Sequence, residues 1–158
     1  MLEKLRKAMK TADIDMLLIP SADPHGSEYP EEYFKARKHF SGFTGSAGTL
    51  LIWQGGAGLW TDGRYFIQAE RQLEGSGIDL FKMREPGVPT VDEFIAENIR
   101  GGVLGADLRT ISASEGMELE KGGAILKDCR SLIDGCWEGR PELSREPAYV
   151  LPMELAGV

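Results

Sequence analysis

Leu2, Leu5, Met9 and Ala12 recur at helical spacing with Glu3, Lys4, Lys7 and Lys10 between them, which predicts an amphipathic helix over residues 2–12. The apolar run from Met16 to Ile19, ended by Pro20, predicts a buried strand. Residues 21–30, SADPHGSEYP, are rich in turn formers and predict a loop. A helix is expected over 30–40. Pro30 suits its first position, Glu31 and Glu32 its positive end, and Arg37 and Lys38 its last turn, while Tyr33, Ala36 and Phe40 form the apolar stripe.

After glycines at 42, 45 and 48, residues 49–53 and 58–61 predict paired strands joined by residues 54–57. Asp62 is expected to cap a helix at 65–74, whose Phe66, Ala69 and Leu73 share a face. A strand at 78–83 and a turn at 86–90 follow. Thr90 with Glu93 three residues on gives a capping-box pattern opening a helix at 91–100. A strand at 103–106, a helix across 112–121 and a strand near 124–128 complete the alternation. Such an order argues an α/β layered domain, its sheet mixed because of the hairpin and covered by helices.

From Cys136 onward the pattern changes. Prolines at 141, 147 and 152 interrupt it and helical faces are few. Residues 1–136 therefore read as the domain, and 137–158 as an extended connector with Trp137, Tyr149, Val150 and Leu151 as apolar anchors. The apolar end Leu155-Ala156-Gly157-Val158 leads us to expect the front part of something longer.

Composition narrows the function classes. The 158 residues, 42% apolar and 27% charged, suit one ordinary globular domain. A net charge of −7, from 18 basic and 25 acidic side chains, disfavours nucleic acid and anionic membrane as partners, since both reward a basic surface. Two cysteines without C-x-x-C spacing, Cys129 and Cys136, suit free thiols in a reducing cytoplasm. The charged N-terminus is unlike a signal peptide, and no apolar run approaches a membrane span, so a cytoplasmic protein is expected.

The stretch FSGFTGSAGTLLIW, residues 40–53, holds the one glycine cluster that invites chemistry. Its G-x-x-G-x-x-G spacing matches neither a dinucleotide fingerprint nor a P-loop. A helix precedes it and a strand follows, the reverse of a phosphate loop, so no helix N-terminus is aimed at it. Ser46 stands in G-S-A-G rather than in a nucleophile elbow. Gly42 is expected to end the helix with positive φ, and Gly45 and Gly48 to turn the chain into the strand.

His25 and His39 are the only histidines, and no paired-histidine metal motif is present. His25 reads as a loop residue and His39 as a helix C-terminal cation or solvated side chain. The plain role of Arg64, in T-D-G-R-Y, is an ion pair with Asp62. Taken alone, the residues describe a binding or scaffold domain with no catalytic or metal-ligating set.

Four segments together resemble a known family: PSADPHGSEY from Pro20, SGFTGSAGT from Ser41, LWTDGRYFIQA from Leu59 and PGVPT from Pro86, with D-x-x-W-x-x-R-P from Asp134 at the exit. They resemble the creatinase/prolidase N-terminal domain, in the version found in aminopeptidase P of the pita-bread metallopeptidases. The resemblance implies a ribonuclease-H-like α/β fold whose mixed, mostly parallel sheet is flanked by helices in three layers. It also implies a parent that releases the N-terminal residue preceding proline, using two manganese or zinc ions held by a later domain. This chain would then hold no cofactor and be inactive alone. It would shape the active-site entrance or subunit contacts, with the downstream domains, a peptide substrate and a homodimer partner as its associations. His25, Tyr29 and Arg64 are the residues expected to face the cleft. A stand-alone binding or oligomerisation module, or a creatinase or Xaa-Pro dipeptidase parent, are the alternatives.

Overall fold

The computed structural model of the protein describes residues 1–155. Among these, helices α1 (Leu2–Thr11), α2 (Ala36–Ser41), α3 (Phe66–Leu73), α4 (Val91–Ile99), α5 (Ala113–Lys121) and α6 (Arg130–Cys136) surround one sheet. Its strands are β1 (Met16–Pro20), β2 (Thr49–Trp53), β3 (Gly56–Thr61), β4 (Asp79–Lys82), β5 (Val103–Ala106) and β6 (Ile125–Asp128), in the spatial order β4-β3-β2-β1-β5-β6. β2 runs antiparallel to β1 and β3, and the other pairings are parallel. Every strand but β2 therefore points its carboxyl end to the same edge.

The sheet separates two apolar layers, as β1 illustrates. Leu17 and Ile19 pack toward α1, α2, α3 and α6, whereas Met16 and Leu18 pack toward α4 and α5. Both faces being covered, β1 has no need of polar alternation, which explains its continuous apolar run. On the second face Trp60 stacks on Phe81, 3.9 Å between ring centroids, and donates its indole N–H to the Pro89 carbonyl at 2.8 Å. The expected three-layer α/β fold with a mixed, mostly parallel sheet is the one observed.

Several local expectations need correction. The helix expected over 30–40 is a 3₁₀ turn at Glu32–Phe34 followed by α2, which starts only at Ala36. The cause is visible at Tyr33. Its carbonyl, which a continuous helix would use internally, instead accepts Arg140 Nε at 2.9 Å and Nη2 at 2.7 Å. Asp62 does not cap α3, which begins after Tyr65 without a side-chain cap; its carboxylate is taken by Arg64. His39 stands in the last turn of α2 but is half-buried rather than solvated. It stacks on Trp137 at 4.4 Å, and burial lowers its pKa from the ordinary value. The hairpin turn is shorter than expected: Trp53 pairs with Gly56, leaving Gln54 and Gly55 at the bend. Helix α6 went unanticipated; Ile133 and Cys136 supply its buried face.

The expected capping box of Thr90 with Glu93 is present, and a second, Ser112 with Glu115, opens α5. Gly42 ends α2 at φ 73°, in the left-handed region, as expected. Trp137 is buried against the first layer, while Tyr149 and Val150 are exposed. Residues 156–158 of the expected connector lie outside the described residues.

Candidate functional site

The strand order creates one distinctive place. β1 continues into α2 on one face of the sheet, whereas the neighbouring β5 continues through a 3₁₀ turn, Leu108–Thr110, into α5 on the opposite face. The chain diverges at the carboxyl ends of β1 and β5, and such switch points open crevices in α/β sheets. A crevice of about 630 Å³ lies there. Leu18, Val91, Ile111 and Leu119 give it an apolar floor; the loop from Ser21 to Glu28, the glycine turn at Ser46–Gly48, Arg64 and Arg109 form its walls.

Arg64 and Arg109 are held in the same way. Asp62 follows the last residue of β3 and Asp107 the last residue of β5, each two residues before its arginine. Asp62 accepts the Arg64 backbone N–H at 3.0 Å, Nε at 3.0 Å and Nη2 at 2.8 Å. Asp107 accepts the same three donors of Arg109 at 3.2, 2.9 and 2.7 Å. The hydrogen bond from Arg64 keeps the Asp62 carboxyl below its ordinary pKa. Burial alone would raise Asp107, but the bonds and charge of Arg109, with the charge of Arg130, outweigh it and the carboxyl is lowered. Both arginines are in turn pushed upward, first by the bond to their aspartate. The ion pair expected for Arg64 is thus present.

A third Asp-x-Arg pair, Asp128 and Arg130, closes β6 with longer contacts, 3.3 Å to the backbone N–H and 3.5 Å to Nη2. Sequence reasoning singled out Arg64 and passed over Arg109. The signal was available as a repeated D-x-R following predicted strands, at 62–64, 107–109 and 128–130.

The loop that walls the crevice is self-braced. Asp23 Oδ1 accepts the backbone N–H groups of His25 at 2.9 Å and Ser27 at 3.0 Å, and the Ser27 bond leads in lowering its pKa. His25 is exposed on this turn and lines neither the crevice nor the cavity beside it. Tyr29, 80% exposed, lines that neighbouring cavity of about 220 Å³ with Phe34, Arg37 and Lys38. The three residues expected to face a cleft are therefore apart, with Arg64 in the crevice, Tyr29 in the second cavity and His25 outside both. Glu28 and Ser46 line both spaces.

Arg37 fixes the glycine turn. Buried, it donates from Nε to Ser21 Oγ at 2.8 Å, from Nη1 to the Phe43 carbonyl at 2.6 Å, and from Nη2 to the Gly45 carbonyl. Burial pulls its pKa down to about 10. Thr44 and Ser46 face α3 and the residue before it. Gln68 and Gln72 donate to Thr44 Oγ1 at 2.8 and 2.9 Å, and Ser46 shares a 2.8 Å hydrogen bond with the Tyr65 hydroxyl. Ser46 thus has a tyrosine for its partner where a nucleophile would need a base.

Among the described residues no group of three His, Cys, Asp or Glu side chains converges to hold a metal ion, so the residues present do not fit a dinuclear centre. No helix among them is long and apolar enough to cross a membrane.

Residues 1–136 match the family described as Creatinase/Prolidase N-terminal domain. Among curated proteins, the chain is 42% identical over 163 aligned residues to a probable Xaa-Pro aminopeptidase P from Coccidioides posadasii, covering 99% of this chain and 26% of that protein. It thus spans about a quarter of the length of the curated relatives it matches. Among solved structures, the X-prolyl aminopeptidase from Caenorhabditis elegans, a cytosolic enzyme with a di-nuclear active site, aligns with TM-score 0.83 and 33% identity over 97% of this chain and 28% of that one. The N-terminal domain of the cytoplasmic peptidase PepQ from Mycobacterium tuberculosis shares the fold, with TM-score 0.61 and 22% identity over 86% of this chain and 97% of that one.

Proposed function

Since the chain belongs to the creatinase/prolidase N-terminal domain family, we propose that it is the non-catalytic first domain of a longer, cytosolic aminopeptidase that releases the N-terminal residue preceding proline. The longer protein's metal pair, manganese or zinc in a later domain, would supply an activated hydroxide for attack on the scissile carbonyl. The described residues offer no ligand set for those ions, and the chain's part is to bound the approach of the peptide. The observation that carries the reading is the crevice at the β1/β5 switch point, where Arg64 stands already oriented by Asp62. An arginine fixed before the ligand arrives loses little rotamer freedom on binding, which is what a specificity wall requires.

Two measurements test this. In the full-length protein acting on an Xaa-Pro peptide, Arg64→Ala is expected to lower kcat/KM about tenfold through loss of a charge-assisted hydrogen bond, whereas His25→Ala, outside the crevice, is expected to leave it unchanged. Unchanged kcat/KM in Arg64→Ala rejects a cleft-facing role. The chain by itself should release no amino acid from the same peptide with metal added; turnover by clean protein would overturn the non-catalytic assignment.

A further inference from the structure

Arg64 and Arg109 come from different strands, yet each is clamped by the aspartate two residues before it and both line one crevice. In each case the clamp uses Nε and one N–H of Nη2. Arg64 keeps its end-on fork, one N–H from each terminal nitrogen. Arg109 gives the second Nη2 proton to the Tyr33 hydroxyl at 3.2 Å and keeps both N–H groups of Nη1. Among the described residues Nη1 of neither arginine has a hydrogen-bond partner.

Resting on the reading above, we infer that Arg109 is a second ligand-binding arginine of the crevice, and that its free Nη1 receives a carboxylate of the peptide substrate, its free C-terminus. Planar guanidinium groups match carboxylate geometry, and donors already locked in place bind it at the least entropic cost. Arg109 is the better anchored of the two. Its side chain is 24% exposed against 67% for Arg64, and Asp107 is 6% exposed against 31% for Asp62. The pairing with aspartate cancels long-range charge, and Asp23, Glu28, Asp92 and Glu115 also line the crevice. Attraction therefore acts only at hydrogen-bond range. A short peptide with both termini free, carrying an ammonium as well as a carboxylate, suits such a surface better than a simple anion does.

The test is a calorimetric titration of the full-length protein with an Xaa-Pro-Xaa tripeptide and with the same peptide amidated at its C-terminus. The free acid is expected to bind about tenfold more tightly. Arg109→Lys keeps an ammonium for Asp107 but cannot serve Asp107, Tyr33 and a ligand from separate nitrogens, and is expected to reduce the preference to about twofold. The Asp107→Asn/Arg109→Gln double variant removes both charges of that pair together, leaves Arg130 its other partner Asp128, and should remove the preference. Equal affinities for acid and amide in the unaltered protein overturn the assignment. So does an undiminished preference in both Arg109 variants, including the case where only Arg64→Gln abolishes it. Because binding is read directly, a protein that shows the preference but cleaves neither peptide supports this inference and sinks the peptidase reading. A protein that cleaves both without preference does the reverse.

Discussion

His39 shows how a single side chain's behaviour is set by what covers it. Its position in the last turn of α2 favours a cation, because the helix dipole places negative partial charge there. Trp137, arriving from about a hundred residues away, lies flat against the imidazole, with Phe40 edge-on at 4.8 Å. The resulting loss of water disfavours the imidazolium, so the folded pKa lies below the ordinary 6.5. Between the folded value and 6.5 the unfolded chain binds more protons than the native protein. Stability should therefore fall as pH drops through that window and level off below the folded pKa. The carboxylates held low by partners, Asp23, Glu32, Asp62, Glu93 and Asp107, act at lower pH, where their contribution is lost as pH falls through their own depressed values. Urea midpoints at about pH 7 and pH 5.5 check this. The unaltered protein should lose stability between them, and His39→Phe, which keeps the stack, should lose less; equal losses refute the account.

At the scale of elements, the turn from α2 to β2 separates what local sequence encodes from what it does not. Gly42 was readable, because a helix stripe ending at glycine calls for a left-handed cap. The start of α2 was not, since Pro30, Glu31 and Glu32 satisfy every local rule and the competing claim on the Tyr33 carbonyl comes from Arg140. Helix α6 was missed for a related reason, its short apolar face being only Ile133 and Cys136 against a distant layer. The glycines of the turn answer to different forces, and substitution can tell them apart. Gly42→Ala meets open space but must hold φ 73°, and should cost about 1 kcal/mol. Gly45 has no such constraint, yet a Cβ there would stand 2.3 Å from Phe43 Cζ and 2.8 Å from Tyr65 Cδ1. Gly45→Ala should then cost about 2–3 kcal/mol, the range of overpacking, and loosen the Ser46–Tyr65 bond. Denaturant unfolding of the two variants decides it; a Gly42→Ala protein less stable than Gly45→Ala would reverse the assignment.

For the molecule as a whole, the alternation of elements was legible but the crevice was not, because it depends on strand order. Only when β5 is seen beside β1 do Arg109 and Arg64 share a space. The exit of the chain depends on long-range contacts in the same way. Arg140 lies 3.7 Å from the centre of the Tyr33 ring, donates twice to the Tyr33 carbonyl and pairs with Asp134. Arg109 also approaches this ring, at 5.3 Å, and reaches its hydroxyl. Tyr33 is thus held between the segment that follows α6 and the arginine that walls the crevice. Farther along, the Ser144 N–H reaches Glu31, two residues before Tyr33. These ties fix residues 138–144 against the end of the crevice loop, so Arg140→Ala should free both partners together. Hydrogen exchange is the measure, because it resolves local opening from global unfolding. Amides of residues 31–35 and 138–144 are expected to exchange about tenfold faster, corresponding to about 1.4 kcal/mol of lost local stability. Those of β1, β2 and β5 should keep their protection, since no hydrogen bond or ion pair of Arg140 among the described residues reaches them. Acceleration confined to 138–144 would mean that the exit segment is held without bracing the crevice loop. Uniform acceleration across the sheet would mean that Arg140 supports the whole fold.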